Sequence, residues 1–186
     1  ASGTISDENG FGYGIYIYNT AGEVAIKNEG VISGTGIGIE NYNNVGYGHG
    51  IYISSTTGEV AIENEGVING SGSETNHNCG YGITISGTAG EVAIENEGVI
   101  NGTGNGGSNS GYGYGYGIEI DTVSGGASIK NEGVISGTWT GSNSGYSYRI
   151  FISNTTVENI TNIGVIYGKI SAIENSFGIL NNGVNY

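Results

Sequence analysis

Apolar and polar residues alternate along this chain in short bursts, and the bursts recur in one order. Pairs of isoleucines two residues apart come first: Ile15/Ile17, Ile51/Ile53, Ile83/Ile85, Ile118/Ile120 and Ile150/Ile152. A Val-Ala-Ile-x-Asn segment follows at Val24–Asn28, Val60–Asn64 and Val92–Asn96, with looser versions ending at Ile129 and Ile160. A Gly-Val-Ile segment closes each unit. Period-2 alternation rich in β-branched residues predicts three short strands per unit, and no stretch carries the 3.6-residue period of a helix.

The last two segments share a motif. Asn-Glu-Gly-Val-Ile begins at Asn28, Asn64, Asn96 and Asn131, and Asn162-Ile163-Gly164-Val165-Ile166 departs from it at one position. The steps between copies are 36, 32, 35 and 31 residues. Self-similarity at this period marks a stacked-repeat architecture. Within one unit, Val24, Ile26 and Asn28 fall on one strand face and Glu23, Ala25, Lys27 and Glu29 on the other, so the first face points inward. A single coil cannot cover that face; stacking at about 4.8 Å per step places Ile over Ile and closes the backbone hydrogen bonds. Each buried Ile or Val contributes about 1.5–3 kcal/mol, which offsets the ordering cost of many glycines.

The expected fold is therefore all-β: a single parallel β-solenoid over residues 1–186, about six coils of three short strands. The stretches 33–50, 69–82, 101–117 and 136–149, rich in Asn, Gly, Ser and Tyr, are expected to be long loops on one side. Asn28, Asn64, Asn96, Asn131 and Asn162 are expected to form an inward ladder of stacked amides. Gly30, Gly66, Gly98, Gly133 and Gly164 are expected to supply a positive φ at the corner. Gly3-Thr4-Ile5-Ser6 is placed at the Gly-Val-Ile-Ser position, as is Gly183-Val184-Asn185. Neither terminus reads as a cap, which fits a piece of a longer solenoid or ends that stack on neighbours.

Composition narrows the function. The chain has 186 residues, 39 of them Gly, and no Pro; without a Gly-X-Y period it is not collagen. Four Lys and Arg against 17 Asp and Glu give a net charge of −13, which disfavours nucleic acid and anionic membrane surfaces as partners. A lone cysteine, Cys79, permits no internal disulfide and reads as a buried thiol. No apolar run approaches the roughly 18 residues of a membrane span. The abundance of Asn, Gly, Ser, Thr and Tyr suggests export, with Ala1 compatible with a processed N-terminus.

Stretches 26–34, 62–70, 94–102 and 129–137, of the form Ile-x-Asn-x-Gly-x-Ile-x-Gly, together with the compact tail from Ile160, resemble adhesin-type passenger domains of Gram-negative autotransporters. The resemblance covers nearly the whole chain. It implies a right-handed parallel β-helix, a bacterial cell-surface location and a role in adhesion or as a stalk. The residue between Gly and Ile, commonly Thr in that family, is Thr4 once and then Val31, Val67, Val99, Val134 and Val165. No translocator barrel segment is present.

Register then sorts the candidate surfaces. The Val column is expected to face outward as a lateral packing or partner-binding stripe, against the simpler reading of β-propensity or a core corner. Aromatics form columns too: Tyr13/His49/Tyr81/Tyr116/Tyr148 and Phe11/Tyr47/Cys79/Tyr114/Tyr146. Tyr16, Tyr52 and Phe151 share an outward column with Thr84 and Glu119. Such stacks stabilise a solenoid, and their Tyr-rich surroundings suit contact with a glycan or a protein. Glu29/Glu65/Glu97/Glu132 and Glu23/Glu59/Glu91 read as solvated charge, relieved in part by Lys27 and Lys130, rather than as Ca²⁺ ligands. His49 and His77, the latter in an expected loop, make no metal site. No non-repeating cluster of acids with Lys or Arg exists, Glu119 and Asp121 sharing one strand, so no catalytic residues, cofactor or metal are assigned. The chain is expected to be a non-enzymatic extracellular adhesin or stalk. Its partner is a host or neighbouring-cell protein or glycan, or copies of itself. The alternative is a subunit that stacks end to end into an extracellular filament.

Overall fold

A computed structural model describes residues 1–7, 10–38, 45–74, 77–106, 112–141, 145–167, 170–173, 179–181 and 184–185. After β1 (Ser2–Asp7), the first turn holds β2 (Gly10–Tyr18), β3 (Val24–Asn28) and β4 (Val31–Gly38). The second holds β5 (Val45–Ser54), β6 (Val60–Asn64) and β7 (Val67–Glu74), and the third β8 (His77–Ser86), β9 (Val92–Asn96) and β10 (Val99–Gly106). The fourth holds β11 (Tyr112–Asp121), β12 (Ala127–Asn131) and β13 (Val134–Thr140). The fifth comprises β14 (Gly145–Ser153), β15 (Val157–Asn162) and β16 (Val165–Tyr167), and the last β17 (Ile170–Ile173), β18 (Ile179–Asn181) and β19 (Val184–Asn185). Every pairing is parallel between successive turns, which builds sheet A from β1 and each turn's third strand, sheet B from the first strands and sheet C from the second. The chain is a parallel β-solenoid with three strands per coil. Four turns are full-length and two are abbreviated, so the expected six is met only by counting the short strands.

The inward columns follow the repeat. Ile53, Ile85, Ile120 and Ile152 stack in sheet B, Ile62, Ile94, Ile129 and Ile160 in sheet C, and Ile68, Ile100, Ile135 and Ile166 in sheet A, all buried. Ile15, Ile17 and Ile26 are only partly buried, because β2 and β3 are outermost in their sheets. Next to this core runs the asparagine ladder. Asn28 Nδ2 donates to Asn64 Oδ1, Asn64 to Asn96, Asn96 to Asn131 and Asn131 to Asn162, each at 2.7 Å. Each of the four donor amides also donates to the carbonyl two residues on and to the next coil's Val carbonyl, so the buried amides are satisfied across the corner.

Three expectations need correction. First, the Asn-Glu-Gly glycines do not have positive φ; they are needed because a Cβ at Gly66, Gly98, Gly133 or Gly164 would run into the carbonyl of the equivalent glycine one coil earlier. Positive φ is found instead at the corner after sheet B, which opens on Asn19, Ser55, Gly87, Thr122 and Asn154, with φ of 54°, 57°, 61°, 56° and 47°, and which in the fourth turn closes on Gly126 at 94°. Second, β1 pairs Gly3 with Gly34 and Thr4 with Thr35, four residues from the expected match. A Cβ at Gly3 would meet the Tyr13 carbonyl, so Ser2-Gly3-Thr4 follows Ser33-Gly34-Thr35, and Thr4 does not belong to the Val column.

Third, the Tyr-rich stretches are mostly strand rather than loop; residues 39–44, 75–76, 107–111 and 142–144 alone lie outside the described part of them, and His77 opens β8. Sheets A and B continue past the isoleucine core and close directly on each other. Glycine occupies their facing positions, and a Cβ at Gly34, Gly70, Gly102 or Gly137 would strike the carbonyl of His49, Tyr81, Tyr116 or Tyr148. The result is a thin wing in which backbone packs on backbone and the large side chains of sheet B point outward. Trp139 takes a facing position in β13, where its ring occupies the space left by Gly113 and Gly145.

Candidate functional site

Glycine inside the wing forces the aromatic residues outside it, and the parallel register stacks them. Tyr13, His49, Tyr81, Tyr116 and Tyr148 form one continuous pile, with successive centroids 5.2, 4.5, 4.9 and 5.2 Å apart and planes within 14°. Phe11–Tyr47 and Tyr114–Tyr146 stack beside it at 5.1 and 5.7 Å. Cys79 stands between these pairs, a buried thiol pushed up to about 11, chiefly by burial. Burial also raises the Tyr81 and Tyr116 hydroxyls well above their ordinary value, so both remain neutral. His49 is pulled down to about 3 by burial and is neutral as well. In this pile each ring face lies on the next ring, so its role is to hold the coils in register.

The neighbouring outward column behaves differently. Tyr16 and Tyr52 stack at 5.4 Å and 7°. Tyr16, Tyr52 and Phe151 each lean against the pile residue three positions earlier in the chain, Tyr13, His49 and Tyr148. In the third and fourth turns the same position holds Thr84 and Glu119, registered between Tyr52 and Phe151. Two missing rings leave a notch, and the face of Tyr52 turned away from Tyr16 looks into it. Tyr52 and Phe151 are three coils apart, about 14 Å at the standard strand spacing. A groove of about 560 Å³ runs through this notch, lined from sheet B and its following corner by Tyr52, Tyr81, Thr84, Ser86, Glu119 and Asp121 among others.

The polar groups of the groove are unequal. Thr84 Oγ1 is hydrogen-bonded to His49 Nδ1 at 3.0 Å, which fixes the floor. Asp121 Oδ1 accepts from Ser153 Oγ at 2.6 Å and Asn154 Nδ2 at 3.0 Å. Burial works to raise its carboxyl, but these bonds and those from Thr122 together hold it below its ordinary value. Glu119, half-buried two residues earlier on the same strand, is pushed up to about 7, first by desolvation and then by Asp121. One acid is thus fixed as a charge and the other exchanges its proton near neutrality. Both rise from one strand of one sheet, so among the described residues these two carboxyls do not oppose each other across a bond.

The other sequence-derived surfaces lie apart from this groove. Val31 is 57% exposed, whereas Val67, Val99, Val134 and Val165 are half-buried by mutual stacking at the start of the sheet A strands. The valines are in sheet A and Tyr16, Tyr52 and Phe151 in sheet B, so the structure does not join them into one patch. Lys27 pairs with Glu29 at 3.0 Å and with Glu65 of the next coil at 3.2 Å, and Lys130 with Glu132 at 2.7 Å. No group of three metal-ligating side chains occurs among the described residues, and no helix among them is long and apolar enough to cross a membrane. The notch itself was not expected, although its signal was present: Thr84 and Glu119 are the non-aromatic members of an otherwise aromatic column. No known protein family, curated protein or solved structure matches the chain.

Proposed function

We propose that the chain is a non-enzymatic, surface-displayed binding protein, an adhesin or stalk of the autotransporter-passenger type, in which the solenoid carries sheet B outward as a recognition face. The carrying observation is the division of labour across the wing. Its inner side is mostly glycine and backbone, with the Trp139 ring between the sheets, and its outer side is a Tyr-rich surface with a groove, which is the composition of a contact face rather than a reaction centre. The strong acidic balance keeps such a surface soluble and away from anionic polymers.

The test is display of the purified chain on beads, with adherence to bacterial and host-type cells scored against beads carrying a scrambled-surface solenoid. Specific adherence by a monomeric chain in size-exclusion chromatography supports the reading. Long fibres by electron microscopy, with no adherence, would replace it with the end-to-end filament. Release of reducing ends from any glycan in a broad substrate screen would replace it with an enzyme.

A further inference from the structure

We infer that the notch at Thr84 and Glu119 is a binding site for an uncharged saccharide ring, a refinement that rests on the adhesion reading. A repeat that places a ring at Tyr16, Tyr52 and Phe151 but omits it in two consecutive coils creates a cavity at one place on an otherwise periodic face. Tyr52 supplies the apolar platform. Its far face is registered against Thr84 rather than another ring, and the C–H face of a pyranose is the complement of such a surface. Around it stand short polar groups that suit hydroxyls: the carboxyl of Glu119, which accepts when charged and also donates when protonated, the carboxylate of Asp121, and the hydroxyls of Ser86 and Ser153. Among the described residues no Lys or Arg lines the groove, and the chain carries a net charge of −13, so uronates and sulfated sugars are disfavoured. A shallow site built on one sheet face holds one ring weakly, and adhesion draws on many displayed copies.

The experiment repairs the repeat. Thr84→Tyr restores the missing ring above Tyr52 without changing the charge; Tyr52→Ala removes the platform; Glu119→Gln keeps the shape. Wild type and variants are applied to an array of neutral hexose oligosaccharides, polyuronates and a lysine-rich peptide, with circular dichroism and thermal midpoints recorded for each. The expected result is binding of wild type to neutral members and not to polyuronates, with at least a tenfold loss for Thr84→Tyr and Tyr52→Ala. If Thr84→Tyr fails to fold, Tyr52→Ala and Glu119→Gln carry the comparison. Undiminished binding by the folded variants would overturn the site, as would absence of binding to every neutral sugar. Capture of the lysine peptide in place of sugars would overturn the ligand class. Cell adherence that persists in Thr84→Tyr leaves the adhesion reading standing while the notch falls; array binding without cell adherence does the reverse.

Discussion

Asn96 donates its side-chain amide to Asn131 Oδ1 at 2.7 Å while its own Oδ1 accepts from Asn64 at 2.7 Å, deep between coils. Replacing Asn96 with Ala would take the ladder donor from Asn131 Oδ1 and the ladder acceptor from Asn64, and would remove one bond each to the carbonyls of Gly98 and Val134. Leaving buried polar groups unpaired costs about 1–3 kcal/mol each, so Asn96→Ala is expected to lose at least 3 kcal/mol in urea unfolding. Asn28→Ala, at the outermost coil of its sheet, should lose clearly less. Equal losses would show that the ladder does not act through coil-to-coil bonding.

Gly30 and Gly98 occupy the same position of the motif, yet a Cβ at Gly30 meets nothing within 4 Å whereas one at Gly98 meets the carbonyl of Gly66. Gly30→Ala is expected to be tolerated within about 1 kcal/mol. Gly98→Ala should cost several-fold more, read as a drop in thermal midpoint, because backbone rather than a movable side chain blocks it.

Thr122 adopts φ 56°, a conformation that costs a β-branched residue about 1–2 kcal/mol. Thr122→Gly relieves that strain but loses the side-chain bond to Asp121 and loosens the unfolded chain, so it should change stability by less than about 1 kcal/mol, whereas the same change at Thr88, a buried threonine bonded to Thr56 at 3.1 Å, should clearly destabilise it.

Glu119 links stability to pH. Its carboxyl is pushed from an ordinary 4.5 up to about 7, so between those values the folded chain holds a proton that the unfolded chain has released. Stability then falls as pH rises through that window. Glu119→Gln is expected to gain about 2 kcal/mol at pH 8, discounted for partial exposure, and nothing at pH 4. His49 acts on the other limb: its pKa falls from 6.5 to about 3, so the stability it contributes is present above 6.5 and is lost as pH falls toward 3. His49→Tyr, which copies the other turns, should flatten the acid limb of a chemical-denaturation profile.

The parts of this fold that could be read from residues alone are those where side-chain chemistry repeats. Isoleucine pairs, the Asn ladder and the strands at Val24–Asn28, Val60–Asn64 and Val92–Asn96 follow from alternation and register. The wing was mistaken for loops because glycine signals turns in most contexts, and here it signals close approach of two sheets. The left-handed corner was missed for the converse reason: four of the five residues that open it, Asn19, Ser55, Thr122 and Asn154, are not glycine. The notch is marked only by rings missing from an aromatic column at Thr84 and Glu119, a signal that no single residue carries.

The glycine-lined wing has an evolutionary corollary. Where glycine faces glycine between its sheets, the residues on its outer face are separated from the interior by backbone alone; Trp139 is an exception. A change at Phe11 or Tyr146, exposed on the outside of the wing, redraws the surface without forcing the isoleucine core to repack. Each turn is thus a cassette whose wing exterior tolerates change while its glycine interior does not, and specificity on this scaffold can be rewritten one coil at a time.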